Sequence, residues 1–529
     1  IGDPNPWASV EQSFEKDTLW GEVFHQHAAS AAPPGTQSIS GEEGVRGMPM
    51  PELLKNGRTW IKDDHEFTRQ LLQGVCPTAV SVCTKLPDTL DIPYIEEQLA
   101  ICEILRPGRN LASEATVGRV LLLDFSELRA YLVSEDEKGG GPPSGEGGGL
   151  KPRKYAGAAP ICLLYITEDE GTQENICLPA AIKLQPNHED APIFTPNSYE
   201  HDWLLAKLYV ANADAQLHMM KSLYLETYAV MEPFALSLWR RMSSLHPIHR
   251  LLRPHLRYCV AANVTARRWL TGPTGFLQNC FGCGPKSEGL IQHEYTHWRL
   301  EDHGLPQDLL RRGFDGLEKL QEYPYRDDGM LVWGAIVDFV LEYIGIFYES
   351  DFDIYSDSEL QMWWAEAWKV GHHSLVTDQE EFQPIGTYDR LAQICATLIW
   401  ITSAVHSSHS KGCYDYYSYP PNRPTNMHLP PMHRLEAGSL HKLSLALPAR
   451  GETVLVQAFM SLISEAKPHS KRLGTHDEEW FTDEATVKAY EKFTTNLRHV
   501  EAIIQVRNEH RQHPYHQMRP EVITQAVSM

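Results

Sequence analysis

Clustered positive charge is what this 529-residue chain most plainly lacks. Its 47 Lys and Arg stand against 69 Asp and Glu, a formal net charge of −22. Nucleic acids are gripped through grouped cations, so this balance argues against a nucleic-acid partner. No run of 18 apolar residues occurs, so no membrane-spanning segment is expected. Ten cysteines in this length do not make a disulfide scaffold. Cys162, Cys259 and Cys395 lie in apolar runs and read as buried thiols. No internal repeat is present, and nothing in the chain assigns a compartment.

What the chain does have is a core: 42% of its residues are hydrophobic, ordinary for a globular protein. Residues 1–63 open with a Pro-, Gly-, Ser- and Ala-rich stretch expected to form an irregular arm. A helical apolar pattern begins at 64–76 and closes at Gly74. Residues 118–133 read as a strand followed by a short helix, and the apolar runs 160–166 and 176–183 as a small sheet. Between them, SEDEKGGGPPSGEGGG at 134–149 reads as a flexible surface loop. After Tyr199 three- and four-residue apolar spacing dominates, at 199–231, 331–348, 358–373, 387–410 and 480–508. The fold class expected is mainly α: one large helical domain over 64–529, with a small β subregion in its N-terminal third.

The richest stretch is Trp203–Arg257, WLLAKLYVANADAQLHMMKSLYLETYAVMEPFALSLWRRMSSLHPIHRLLRPHLR. With DGMLVWGAIVDFVLEYIGIFY at 328–348, DSELQMWWAE at 357–366, TLIWITSAVHSSHS at 397–410 and PPNRPT at 420–425, it resembles the lipoxygenase family. The ordered landmarks run from about residue 64 to the carboxyl end. This early start leaves little room for the N-terminal β-sandwich many members carry, a trimmed architecture similar to fungal and some bacterial members.

The resemblance implies a non-haem iron, or sometimes manganese, held by three histidines, an Asn or His, and the terminal carboxylate. The first two ligands lie five apart on the central helix. Five residues of regular α-helix leave side chains about 140° out of register, and the family aligns them with a local π-type turn. Here that pair is His218 and Leu223, and Tyr228 stands where many members have a further histidine. The next pair is His406 and Ser410, with His409 between them, and the last residue is Met529. Two imidazoles and one carboxylate (His218, His406 and Met529) therefore remain, a set that can still suit Fe(II). Asp214 and Cys413 fall where amides often connect pocket to metal. Ala266 matches the Ala/Gly position that steers stereochemistry, with Leu270 and Leu277 on the same segment.

Three other patterns carry simpler readings. His293-Glu294-Tyr295-Thr296-His297 matches the zinc-protease pattern H-E-x-x-H, but its flanks are not protease-like and it reads as a coincidence. Cys280-x-x-Cys283 before those histidines has too short a gap for a zinc finger. Asn263-Val264-Thr265 matches a glycosylation acceptor but sits in an apolar helical pattern. The Trp363, Trp364 and Trp368 cluster reads as core, and Arg423 as a structural anchor.

Three functions follow as expectations. The first is a lipoxygenase-fold enzyme without redox metal chemistry and with no cofactor. It would hold a polyene, polyketide or fatty-acyl, for isomerisation or pericyclic cyclisation. His218, His406, His409 and Tyr228 are its catalytic candidates, and Leu223, Ala266, Leu270, Leu277, Asp214, Ser410 and Cys413 its pocket candidates. The second is an iron or manganese dioxygenase forming hydroperoxides from polyunsaturated fatty acids. The third is a non-catalytic lipid-binding relic.

Overall fold

A computed structural model describes residues 51–55, 63–133, 157–168, 174–317, 319–372, 382–429, 431, 443, 445–448, 450–465, 470–475, 481 and 483–528. The arm at 1–50, the Gly-rich loop at 134–149 and Met529 lie outside these residues.

The sheet is an antiparallel meander in chain order: β1 (Ser81–Val82), β2 (Val120–Asp124), β3 (Ile161–Glu168), β4 (Asn175–Lys183) and β5 (Ile193–Phe194). Its central strand β3 is apolar at almost every position because both faces are covered. Alternate side chains part company: Cys162, Leu164 and Ile166 enter the main core, while Ile161, Leu163 and Tyr165 enter a second, smaller one. Helices at Ile92–Ile101 and Leu111–Thr116 contribute to that smaller core. The β3–β4 register slips between Leu163 and Leu164, whose partners are Ala181 and Pro179. The bulge leaves Pro179, which has no N–H to give, a place inside a strand.

Helix α1 (Asp64–Gln73) begins at Asp63, whose carboxylate accepts from the backbone N–H of His65 and Glu66. It is pinned to α2 (Glu200–Leu217) by Asp64, which accepts from Trp203 Nε1 at 3.0 Å and Lys207 Nζ at 2.7 Å. Every residue of α2 from Trp203 to Gln216 is buried, so its lack of a polar face marks it as the central helix. After it in the chain come α3 (Ser287–His297), α4 (Gly329–Phe347), α5 (Tyr388–Trp400), α6 (His406–Ser410) and α7 (Glu484–His510). Thr387 and Asp483 cap α5 and α7 with their side chains. Helix α4 packs against both α5 and α7.

Two helical stretches, 324–347 and 388–417, are long and apolar enough to cross a membrane, which apolar run length did not anticipate. The second is almost wholly inside the protein, as the core helix of a large domain must be. The cysteines expected to be buried thiols are all buried and unpaired. Asn263 is buried too, donating to the carbonyls of Tyr228 and Cys259, so that sequon is closed. Trp363 and Trp364 are core residues, while Trp368 is only partly buried.

Candidate functional site: two imidazoles on π turns

Helix α2 runs directly into a π turn, His218–Leu225, where the Glu226 N–H reaches back five residues to the Lys221 carbonyl. A π turn brings positions five apart into register, so Leu223 takes the step that follows His218. A second π turn, Ile401–Val405, precedes His406, whose N–H reaches the Ile401 carbonyl. The resemblance implied the first of these turns; the second was not anticipated.

Both imidazoles are fully buried and both are hydrogen-bonded at each ring nitrogen. His218 Nε2 lies 3.0 Å from the carbonyl oxygen of His409, and its Nδ1 lies 2.7 Å from the Tyr417 hydroxyl. A carbonyl can only accept, so Nε2 carries the proton and Nδ1 accepts from Tyr417. At His406, Nε2 meets the Tyr228 hydroxyl at 2.7 Å, and that hydroxyl donates to the Ser528 carbonyl at 2.9 Å. With its one proton spent on Ser528, the phenol accepts from His406 Nε2–H. Thr524 Oγ1, 3.4 Å from His406 Nδ1, faces the remaining lone pair. Burial holds His218 well below the usual imidazole range and His406 down to about 3, and it raises Tyr228. All three groups are neutral at pH 7.

His409 packs with its ring centre 5.5 Å from that of His218. Its Nδ1–H donates to the Val75 carbonyl at 2.8 Å, while Nε2 is buried without a hydrogen-bond partner. The Ser410 hydroxyl is likewise buried and unpartnered, and Cys413 donates its thiol to the His409 carbonyl at 3.0 Å. Asp214 does not reach these imidazoles. Its carboxylate forms a buried ion pair with Arg423, Nη1 to Oδ2 at 2.6 Å, and the guanidinium lies 5.0 Å over the Tyr417 ring. Burial alone would depress the Arg423 pKa, but the Asp214 anion and Tyr417 outweigh it and keep the cation charged. Arg423 is thus the anchor its place in the sequence suggested.

Leu223, Ala266, Leu270 and Leu277 are all buried in the main core. Asn263 ties the helix that carries Ala266 to the backbone of Tyr228, and backbone bonds link Ala266 to Leu270 and Leu270 to Leu277. Cavities of about 990 and 1130 Å³ open elsewhere, and none of the candidates lines either. Sequence reading missed Tyr417, Thr524 and the Ser528 carbonyl. They lie 199, 118 and 300 residues from the side chains they touch, a distance across which no local pattern carries a signal.

The fold places these residues where known relatives can be compared. A family model described as Lipoxygenase matches residues 155–520. The chain belongs to the lipoxygenase family. It is 30% identical over 522 residues to Probable lipoxygenase 6 of Oryza sativa subsp. japonica, covering 92% of this chain and 55% of that protein. It is 31% identical over 472 residues to Polyunsaturated fatty acid lipoxygenase ALOX15B of Homo sapiens, covering 88% and 66%. Among solved structures, a lipoxygenase crystallised anaerobically in complex with arachidonate superposes with a TM-score of 0.82 at 26% identity, covering 98% of this chain and 72% of that one. Coral 8R-lipoxygenase gives 0.78 at 26% identity, with 91% and 68% covered. The chain spans about half the length of the plant relatives it matches.

Lipoxygenases use iron or manganese, and one position that the resemblance assigns to a ligand does not suit such an ion. Leu223 offers no lone pair. Both Nε2 atoms face oxygens as donors, and beside them His409 Nε2 keeps a lone pair without a partner. Among the described residues no three His, Cys, Asp or Glu side chains form a metal-holding group.

The buried imidazoles set a pH dependence. His255, whose Nδ1 meets the Gln525 carbonyl at 2.9 Å, is held down to about 4 by burial, as His406 is to about 3. Both folded values lie below the unfolded value of about 6.5, so the unfolded chain protonates first. Stability should be complete above pH 6.5 and fall as pH drops toward 4, by up to about 1.4 kcal/mol per pH unit for each group. Urea midpoints at pH 7 and pH 5 measure this; equal midpoints would show the imidazoles are not buried neutral.

Proposed function

We propose that this lipoxygenase-family protein holds a polyunsaturated chain and transforms it without redox metal chemistry, by isomerisation or pericyclic cyclisation. The observation that carries the reading is the Tyr228 phenol seated between His406 Nε2 and the Ser528 carbonyl. It joins the π-turn helix, α6 and the C-terminal segment by hydrogen bonds. The neighbouring leucine closes the other ligand position with methyl groups.

Leu223, Ala266, Leu270 and Leu277, packed in the core, are the apolar surface this reading assigns to the substrate chain. Such surroundings accelerate a unimolecular rearrangement by holding reacting carbons in a near-attack arrangement. His409 Nε2 is a buried lone pair without a partner, and Tyr228 with His406 is a neutral donor–acceptor pair. These groups suit general acid–base steps. No step in this reading needs an electron acceptor.

A second reading, a dioxygenase forming fatty-acid hydroperoxides, is favoured by the names of relatives such as Linoleate 13S-lipoxygenase 3-1 of Solanum tuberosum. Protein purified from cells supplied with iron and manganese separates the two. The proposal expects far less than one metal per chain, no oxygen uptake on linoleate, and altered polyene products formed without oxygen. Stoichiometric iron or manganese with hydroperoxide formation would establish the dioxygenase instead. Absence of any turnover on polyenes would leave only lipid binding.

A further inference from the structure

The cavity of about 1130 Å³ opens between α1, β4, the segment 320–330 and the end of α7. Its volume is just above the roughly 300–1,000 Å³ common for small-molecule sites. Helix α1 gives it His65, Thr68, Arg69, Leu72 and Gln73, the three- and four-residue spacing of a single helical face. Much of the remaining lining is apolar, from Ile176, Cys177, Leu320, Met330 and Val506.

Four guanidiniums also line it, and three are held by carboxylates. Arg69 grips Glu66 through two bonds of 2.6 Å. Arg326 reaches Asp327 Oδ1 at 2.7 Å and the carbonyls of Leu317 and Leu320. Arg511 donates to Asp328 from both Nη atoms, and its Nε lies 3.5 Å from Glu322. Arg507 differs. It shares the buried Asp328 with Arg511, so one carboxylate serves two cations. It spends only Nη1, on Asp328 Oδ1 at 2.8 Å and the Asp327 carbonyl at 2.9 Å. Among the described residues its Nε and Nη2 have no hydrogen-bond partner, and the side chain is 39% exposed. A second polar atom is stranded on the same lining. Gln73 is 6% exposed, and its Oε1 is buried without a hydrogen-bond partner. An orphan acceptor beside a cavity is a place for a donor, from a ligand or from water that enters with it.

We propose that this cavity binds a single-chain carboxylate amphiphile, a fatty acid, with its head on Arg507 and its chain along Leu72, Ile176, Leu320 and Met330. The open Nε–Nη2 edge of a guanidinium matches the two oxygens of a carboxylate. A doubly charged phosphate head suits the place less, because Glu174, Glu322 and Asp327 line the same cavity. The site goes beyond the rearrangement proposed above. None of its residues belongs to the buried imidazole cluster, although the Val75 carbonyl, two residues past Gln73, accepts from His409 Nδ1.

The test titrates the full chain calorimetrically with laurate and with dodecanol, its uncharged counterpart. Laurate should bind at least 10-fold more tightly than dodecanol. Arg507→Met should weaken laurate at least 10-fold and leave dodecanol unchanged; Asp328 keeps Arg511, so the fold should hold. Met330 and Val506 are 41% and 55% exposed. Met330→Asp with Val506→Asp should therefore weaken both probes several-fold while the circular dichroism spectrum stays that of the wild type. Bound laurate should also slow hydrogen exchange at 69–73 and 506–511. Protection confined to 218–225 would put the chain beside the buried imidazoles, overturning this cavity while leaving the polyene reading intact. No laurate binding, or binding indifferent to Arg507, overturns the site as well.

Discussion

Replacing Arg423 with methionine should destabilise the protein by about 3–5 kcal/mol, the usual consequence of stranding one member of a buried ion pair. The stranded group is Asp214, whose carboxylate is 1% exposed and has Arg423 as its ion-pair partner at 2.6 Å. The guanidinium also stacks on Tyr417, the residue that hydrogen-bonds His218, so the loss should loosen that imidazole too. Asp214→Asn combined with Arg423→Met should recover most of the loss, because an amide costs far less to bury than an unpaired carboxylate. Urea denaturation of both single variants and the double variant gives the coupling energy. A single-variant cost below about 1 kcal/mol would mean the pair is hydrated rather than buried.

The second large effect is a gain. Leu223→His with Ser410→Asn supplies two nitrogen or oxygen donors at the positions the family uses for ligands. Tyr228→Phe then removes the phenol to which His406 Nε2 donates. The triple variant should take up close to one iron or manganese per chain, with affinity at least about 100-fold above wild type. Changes in outer-shell partners alone are typically worth about 10–100-fold, and this variant adds coordinating atoms as well. The double variant, with Tyr228 still in place, should bind more weakly than the triple. Metal content after anaerobic reconstitution is the measurement. A wild type that already binds fully, or a triple variant that gains nothing, would show that Leu223 and Tyr228 do not control occupancy.

Much of the fold was legible in the chain because long amphipathic and wholly apolar helices write their period into the sequence. The helix expected at 64–76 is α1, the strand-and-turn at 118–133 is β2 with its 3-10 turn, and the runs near 160 and 176 are β3 and β4. The shorter strands β1 and β5, two residues each, carry no periodicity to read. The site was legible only in part. His218, Leu223, Tyr228 and His406 could be placed by their spacing within motifs. Their hydrogen-bond partners could not, since those come from residues far along the chain.

The sequence by itself determined which chemical groups are available: an aliphatic side chain where the resemblance implies an imidazole, a phenol where it implies that many members have one, and a helical core to bury them. Only the tertiary structure decided how those groups are used. Folding brings the Ser528 carbonyl to Tyr228, the His409 carbonyl to His218 and Arg423 to Asp214. In a water-excluded interior most donors find an acceptor, and the fold chooses which one.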